Sequence, residues 1–374
     1  MNSRAAQSGF VRSLLSIALG LVVAAIVMRL CGYNPGEAYA ALLQGASGLK
    51  PGAPVALTDL SLGGWHLSLY DLAQTLSHVT PLIFTGLSVT LGLRAGLFNI
   101  GAQGQMIAGA IAAATVGLWG NGTLSPLLHV PLTLCAGVVG GALWGMLAGF
   151  LKASRGVHEV ISTIMLNYIA LNISFYLINH SLLDNTPNNM TPQSPLLPNS
   201  SQLPALVSGA NLSAGIFLAL FCAVAVTFVI RKTSLGYEIR AVGLGAEAAK
   251  ANGISVEGVT LKTMGLCGAL AGLAGAIEVM GVQHRFVSGI ASSYGFDGIS
   301  VALLGGLSGI GVLLSGLFFG GLSNGASAMK LIADVPDSIA IVVQAVVIIF
   351  IGIRTKESPL RKIFTGLKQK EGNL

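Results

Sequence analysis

Long apolar runs separated by short polar breaks dominate this chain, at about 13–30, 72–93, 97–118, 129–151, 158–179, 212–230, 258–282, 294–308, 310–330 and 337–353. Several approach or exceed the ~20 residues needed to cross the hydrocarbon core, a length that core helices of soluble proteins seldom reach. The pattern predicts an all-α fold, a polytopic transmembrane helical bundle of about ten spans, with residues 1–374 as one transmembrane domain. The eighth run is short and glycine-rich, which suits a half-helix or re-entrant segment.

Three polar intervals interrupt the pattern. Residues 31–71 and 180–211 read as external loops; the second carries Pro187, Pro192, Pro195, Pro198 and Pro204, with Asp184 as its one acid and no Lys or Arg. That composition suits a docking or lid surface and a passive connector equally. The third interval, 231–258, reads RKTSLGYEIRAVGLGAEAAKANGISVEG and cannot sit in a bilayer. It concentrates Arg231, Lys232, Arg240 and Lys250 with Glu238, Glu247 and Glu257 in a protein of only 9% charged residues. Good helix formers from Glu238 to Lys250, closed at Gly253 by a left-handed stop, predict a short surface helix that a soluble partner touches. The competing reading is a charged loop that only fixes orientation.

Charge distribution settles which side is which. Arg4, Arg12, Arg94, Lys152, Arg155, the 231–258 island, Lys262 and the tail from Arg354 to Lys370 fall on one side, against Arg29, Lys50, Arg285 and Lys330 on the other. By the positive-inside rule the first side, with both termini, is cytoplasmic. The net charge of +6 therefore reads as a topology signal, and no nucleic-acid partner is expected, because the basic residues do not interleave with aromatics on a soluble face. The first run follows Arg4 and Arg12 but lacks a small-x-small cleavage site, so it reads as a retained signal anchor. Cys31, Cys135, Cys222 and Cys267 lie far apart and predict neither disulfide nor metal.

Fifty glycines are too many for generic helices. Gly137, Gly141, Gly145 and Gly149 recur every four residues, and Gly265, Gly268, Gly272 and Gly275 lay a similar stripe on the seventh run. Such small-xxx-small stripes let helix backbones approach closely in lipid.

Candidate chemistry lies in three places. The string GLFNIGAQGQMIAG puts Phe98, Asn99, Gln103 and Gln105 among helix-weakening glycines at the start of the third run. Unwound backbone at membrane depth is tolerated only when buried in protein or lining a wet cavity, so this is a candidate substrate pathway; amides that merely hold helices together are the alternative. On the fifth run Asn167 lies deep and shares roughly a face with Glu159, which reads as an interfacial charge, while Asn172 follows it. In SSYGFDGIS, Tyr294 and Phe296 offer stacking for a ring-shaped polar solute and Asp297 a hydroxyl acceptor; an interfacial aromatic anchor competes with that reading. Glu278 is a buried-acid candidate, and Arg285 could pair with it or with Asp297. No P-loop, no H-x3-H metal spacing and no nucleophile elbow occurs, and the paucity of buried protonatable groups weakens a proton-coupled mechanism.

Three strings, GYNPGEAYAALLQGASG from Gly32, GLFNIGAQGQMIAGA from Gly96, and LGYEIRAVG with AAKANGI running on into GALAGLAGAIEVMG, together resemble the inner-membrane permeases of ATP-binding-cassette (ABC) importers for nucleosides and simple sugars. That group is related to the ribose and branched-chain amino acid permeases. The resemblance implies a bacterial cytoplasmic-membrane permease paired with an identical or related permease. It also implies cytoplasmic ATPase subunits that spend the ATP, an extracytoplasmic solute-binding protein that delivers a small polar solute, and no cofactor in this chain. It makes residues 238–253 the coupling helix, with Glu238, Arg240, Gly243, Glu247, Lys250 and Gly253 as its ATPase-facing residues. The chain departs from the family pattern at Gln103, where Glu is expected, at Gly245, where Asn is expected, and at Ala246, which is often Pro.

Two other function classes stand beside this one: an ion- or proton-coupled secondary transporter, and an intramembrane enzyme. Dependence on a separate ATPase separates the first reading from both.

Overall fold

The computed structural model describes residues 18–349 apart from 53–58, 63, 121–123, 185, 187–190, 208, 337, 340, 344, 347, 348. The basic tail after Arg354, residues 13–17 of the first run and much of the tenth run lie outside the described residues. Twelve helices can be followed among those described: α1 (Ala18–Leu30), α2 (Pro35–Ser47), α3 (Leu69–Arg94), α4 (Ala102–Trp119), α5 (Pro126–Arg155), α6 (Glu159–Asn179), α7 (Gly215–Lys232), α8 (Ser234–Leu244), α9 (Ala246–Ala251), α10 (Val256–Glu278), α11 (Tyr294–Leu304) and α12 (Gly309–Ala333). Six of them, α3, α5, α6, α7, α10 with the π-helical turn that continues it to Gln283, and α12, are long and apolar enough to cross a membrane. α4 is as long as α7 but carries Gln103 and Gln105 in its first turn. α11, within the short eighth run, has 11 residues, about half the length that crosses a membrane.

The described residues fall into two units. One comprises Ala46–Asn324; the other comprises residues up to Gly45 and from Gly325 onward. In the smaller unit the Tyr39 hydroxyl on α2 donates to the Leu21 carbonyl on α1 at 2.5 Å, and burial pushes the phenol up to about 12.

In the larger unit α3 and α10 are the enclosed helices, buried along most of their apolar length, whereas α5 and α6 leave most of theirs exposed. The glycine stripes explain how α10 is enclosed. A Cβ on Gly145 would stand 2.2 Å from the Met264 carbonyl oxygen, and one on Gly272 would stand 2.3 Å from that of Gly137. α4 packs beside both helices: a Cβ on Gly275 would stand 2.1 Å from the Met106 carbonyl oxygen, and one on Gly140 of α5 would stand 3.0 Å from that of Ala108. Helix backbones touching at several successive turns gain the dispersion contacts that drive association in lipid, where no hydrophobic force between helices exists.

Both outer segments contain more structure than loops. Residues 31–71 hold α2 and a small antiparallel sheet, β1 (Leu49–Pro51), β2 (Leu60–Leu62) and β3 (Trp65–Leu67), in the order β1–β3–β2. Lys50 on this sheet pairs with Asp71 at 2.6 Å, tying it to the first turn of α3. Strands of three residues are too short for alternation to reveal them in the sequence. The proline-rich segment is fastened along the chain that follows α10: Ser194 N donates to the Phe286 carbonyl, Leu197 N to that of His284 and Leu203 N to that of Met280. Leu197 and Phe286 are buried in one cluster with Ile178, Met280 and Ile290.

A candidate solute cavity and a charged surface

The junction between α3 and α4 is non-helical from Ala95 to Gly101, as the glycines predict, and its backbone polar groups are met by side-chain amides. Asn99 Oδ1 accepts from Gly101 N at 3.0 Å, while its Nδ2 donates to Gln105 Oε1 at 3.0 Å and Gln105 Nε2 donates back to Asn99 Oδ1 at 3.2 Å. From α6, Asn167 Oδ1 accepts from Gly104 N at 2.8 Å and its Nδ2 donates to the Ile100 carbonyl at 2.9 Å. Unsatisfied amides at membrane depth cost several kcal/mol each, so these side chains are what permit the break.

Gln103 faces the opposite way. Its Nε2 donates to the Ser292 carbonyl at 2.6 Å and its Oε1 accepts from Gly295 N at 2.9 Å, so it holds the start of α11. A carboxylate has no proton to give the Ser292 carbonyl, whereas an amide serves both partners. This accounts for glutamine at a position where the family pattern led us to expect glutamate.

Between α4, α6 and the chain leading into α11 lies a cavity of about 480 Å³. Gln103 and Ile107 of α4, Ile164, Asn167, Tyr168, Leu171 and Ser174 of α6, residues 289–292 and Phe296 line it. The lining is mostly apolar, with a few amide, hydroxyl and backbone groups and no ionised side chain, the usual make-up of a site for a neutral organic molecule. Ser292 has φ 41° and Gly289 φ 76°, so this wall is an irregular strap between helices.

Of the pathway candidates, Gln103, Asn167 and Phe296 meet around this cavity. Asn99 does not: it is buried, with its amide paired inside the protein, so its polarity requires neither water nor solute. Phe98 is half-buried and outside the lining. The Tyr294 hydroxyl lies 2.9 Å from His78 Nδ1 on α3, and Asp297 accepts from the Ser293 hydroxyl at 2.5 Å; neither lines the cavity. Arg285 pairs with neither Glu278 nor Asp297 among the described residues, whereas Glu159 pairs with Lys152 at 2.9 Å. Of the α6 lining only Asn167 was singled out from the sequence, although Ile164, Leu171 and Ser174 share its face at helical spacing. The 289–292 strap has no periodicity and offered none.

The polar island is helical but is not one helix. α8 begins at Ser234, where the Thr233 hydroxyl caps it by accepting from Gly236 N at 3.1 Å, and it ends at Leu244; Gly245 is extended at φ 179° before α9 begins. A lone glycine gives the helix little reason to continue. Gly253 has φ 80° and closes α9, as expected. Arg240 donates to the Ile230 carbonyl and so braces the α7–α8 turn, while Glu247 and Lys250 point into solvent. Gly243 sits against the α3 terminus, where a Cβ would stand 2.1 Å from the Arg94 carbonyl oxygen.

Comparison with known proteins decides the family. Residues 72–352 match the family described as branched-chain amino acid transport system / permease component. The chain belongs to that family. It is 37% identical over 361 residues to a guanosine ABC transporter permease protein of Bacillus subtilis, covering 96% of this chain and 97% of the relative. It is 36% identical over 348 residues to a nucleoside ABC transporter permease protein of Lactococcus lactis, covering 91% and 90%. A glucose ABC transporter permease protein of Haloferax volcanii is 38% identical over 294 residues, covering 76% of each chain. The chain is therefore an ABC-transporter permease, a membrane transport component and not an enzyme, with ATP hydrolysis in a separate subunit.

Proposed function

We propose that this permease carries a nucleoside inward across the bacterial cytoplasmic membrane, through the cavity bounded by Gln103, Asn167 and Phe296. The observation that carries the reading is the lining itself. Phe296 and Tyr168 offer ring surfaces, the second N–H of the Gln103 and Asn167 amides, the Ser174 hydroxyl oxygen and the strap backbone offer neutral hydrogen-bonding groups, and no ionised group is present to recruit an ion or a phosphate. The relatives named for guanosine and nucleosides support the same class; the glucose relative supports a simple sugar as the second reading.

In this reading the chain has about ten spans, an even number that places both termini in the cytoplasm together with α8–α9. Glu238, Glu247 and Lys250 on that surface face a cytoplasmic ATPase, and Arg240, Gly243 and Gly253 hold the surface in shape. An extracytoplasmic solute-binding protein delivers the solute. A second permease, identical or related, covers the face of α6 on which Met165, Tyr168 and Tyr176 stand exposed in the single chain. Uptake of radiolabelled guanosine by vesicles containing the full set of subunits tests this: vanadate-sensitive uptake, competed by nucleosides and not by glucose, is expected. Competition by glucose alone replaces the substrate class, and vanadate-insensitive uptake by this chain alone returns the function to an ion- or proton-coupled carrier.

A further inference from the structure

The Phe296 wall of the cavity belongs to α11, and α11 is fixed to α3 at three levels. At its start the Tyr294 hydroxyl meets His78 Nδ1 at 2.9 Å. Midway the two helices close through glycine: a Cβ on Gly298 would stand 2.6 Å from Thr85 Oγ1 and 2.8 Å from the Thr85 carbonyl carbon, and one on Gly86 would stand 2.7 Å from Val301 Cγ1. Beyond its end, Arg94, the last residue of α3, donates to the Leu307 carbonyl from Nε at 3.0 Å and from a terminal guanidinium nitrogen at 2.8 Å. Leu307 is left-handed at φ 55°, in the turn between α11 and α12. Two donors from one planar group fix the direction of that carbonyl in a way a single ammonium cannot.

Arg94 is also where α8 rests. Gly243 packs on the Arg94 carbonyl, and a Cβ on Gly96, at φ 72°, would stand 3.3 Å from the Gly243 Cα. The same residue therefore bears α8 on its backbone and holds the end of α11 with its side chain. An 11-residue helix is about 16 Å long, so a small displacement at one end of a rigid pair is carried to the other.

We infer that α3 and α11 move as one body, and that Arg94 is the positioning residue through which a displacement of α8 reaches the Phe296 wall. The inference rests on the reading of α8–α9 as the ATPase-facing surface. Packed elements with two discrete arrangements are the physical means by which separated sites couple, and here one continuous set of contacts joins the two ends.

The test uses the complete transporter in proteoliposomes, measuring nucleoside taken up per ATP hydrolysed and the ATPase retained on purification. Arg94→Gln is expected to retain the ATPase and hydrolyse ATP near the parent rate while uptake falls about tenfold or more, the size expected from losing charge-assisted hydrogen bonds. Arg94→Lys should fall between. Uptake at the parent ratio, or loss of the ATPase from Arg94→Gln, overturns the role. If Arg94→Gln does not reach the membrane, a second measurement decides. In a background lacking the native cysteines, His78→Cys and Tyr294→Cys are bridged by a short bifunctional thiol reagent, and uptake is compared before and after. Unchanged uptake supports a single body; arrest on bridging overturns it. Glu247→Lys is the control for the underlying reading: if that variant keeps its ATPase, the reading of α8–α9 fails, while the uptake ratio of the Arg94 variants still reports on Arg94.

Discussion

A Cβ placed on Gly141 would stand 2.2 Å from the carbonyl oxygen of Gly268, and one placed on Gly268 would stand 2.1 Å from the carbonyl oxygen of Gly141. The two residues are in backbone contact in both directions, and neither neighbour is a side chain that can turn aside. Gly141→Leu is therefore expected to cut the yield of folded protein sharply, by more than the ~1–3 kcal/mol of ordinary overpacking, because whole helices must part. Gly265 belongs to the α10 stripe with Gly268 but faces the flexible Met146 side chain, with its Cε at 2.7 Å from an added Cβ. Gly265→Ala should be tolerated. Thermal stability in detergent, read alongside yield, distinguishes the two; equal losses would mean that the stripe acts through something other than backbone contact.

The reciprocal amides of Asn99 and Gln105 predict a different kind of damage. Asn99→Ala leaves the Gln105 amide and Gly101 N without their partner in a buried site, a loss of about 1–3 kcal/mol. Replacing Gln105 as well should cost less than the sum of the two single changes, because the partners leave together. Substrate selectivity should be unchanged in all three variants. Denaturation midpoints across the double-mutant cycle provide the check, and strictly additive losses would show that the amides are not coupled.

These two sites show what the sequence made legible. The stripe is visible because a four-residue period at membrane depth has one physical meaning, and the broken start of α4 is visible because glycines flank its amides. The division of labour among the amides was not visible. Asn99 and Gln103 sit four residues apart in the same glycine-rich string, yet one turns inward to the Gly101 N–H and the Gln105 amide and the other turns outward to a strap contributed from nearly two hundred residues later. Only long-range packing decides that. The short sheet at 49–67 and the break at Gly245 were hidden for a related reason: three-residue strands carry no period, and a single glycine among alanines marks either a packing contact or a stop.

The surface of α8–α9 divides by exposure. Glu247→Lys and Lys250→Glu change only side chains that point into solvent, so each should leave insertion and thermal stability intact while releasing the ATPase. Arg240→Glu removes the brace on the Ile230 carbonyl and places a carboxylate against it, so it should lower stability as well. Co-purification of the ATPase with each variant, set against its melting temperature, separates the classes. A stable Glu247→Lys, Lys250→Glu double variant that retains the ATPase and full uptake would remove this surface from coupling.

The central claim is that solute passes through the cavity between α4, α6 and the strap before α11. The most direct test is thiol labelling of the assembled transporter, with single cysteines in place of Gln103, Asn167, Ser174 or Phe296, and of Asn99 as the buried control, in a background lacking the native four, probed by a small membrane-impermeant reagent with and without nucleoside. Labelling at Ser174 and Phe296, and at whichever of Gln103 and Asn167 tolerates replacement, with protection by transported nucleoside and no labelling at Asn99, is the predicted result. Labelling that nucleoside does not alter at any of the four positions, or none at all in every nucleotide state, contradicts the account.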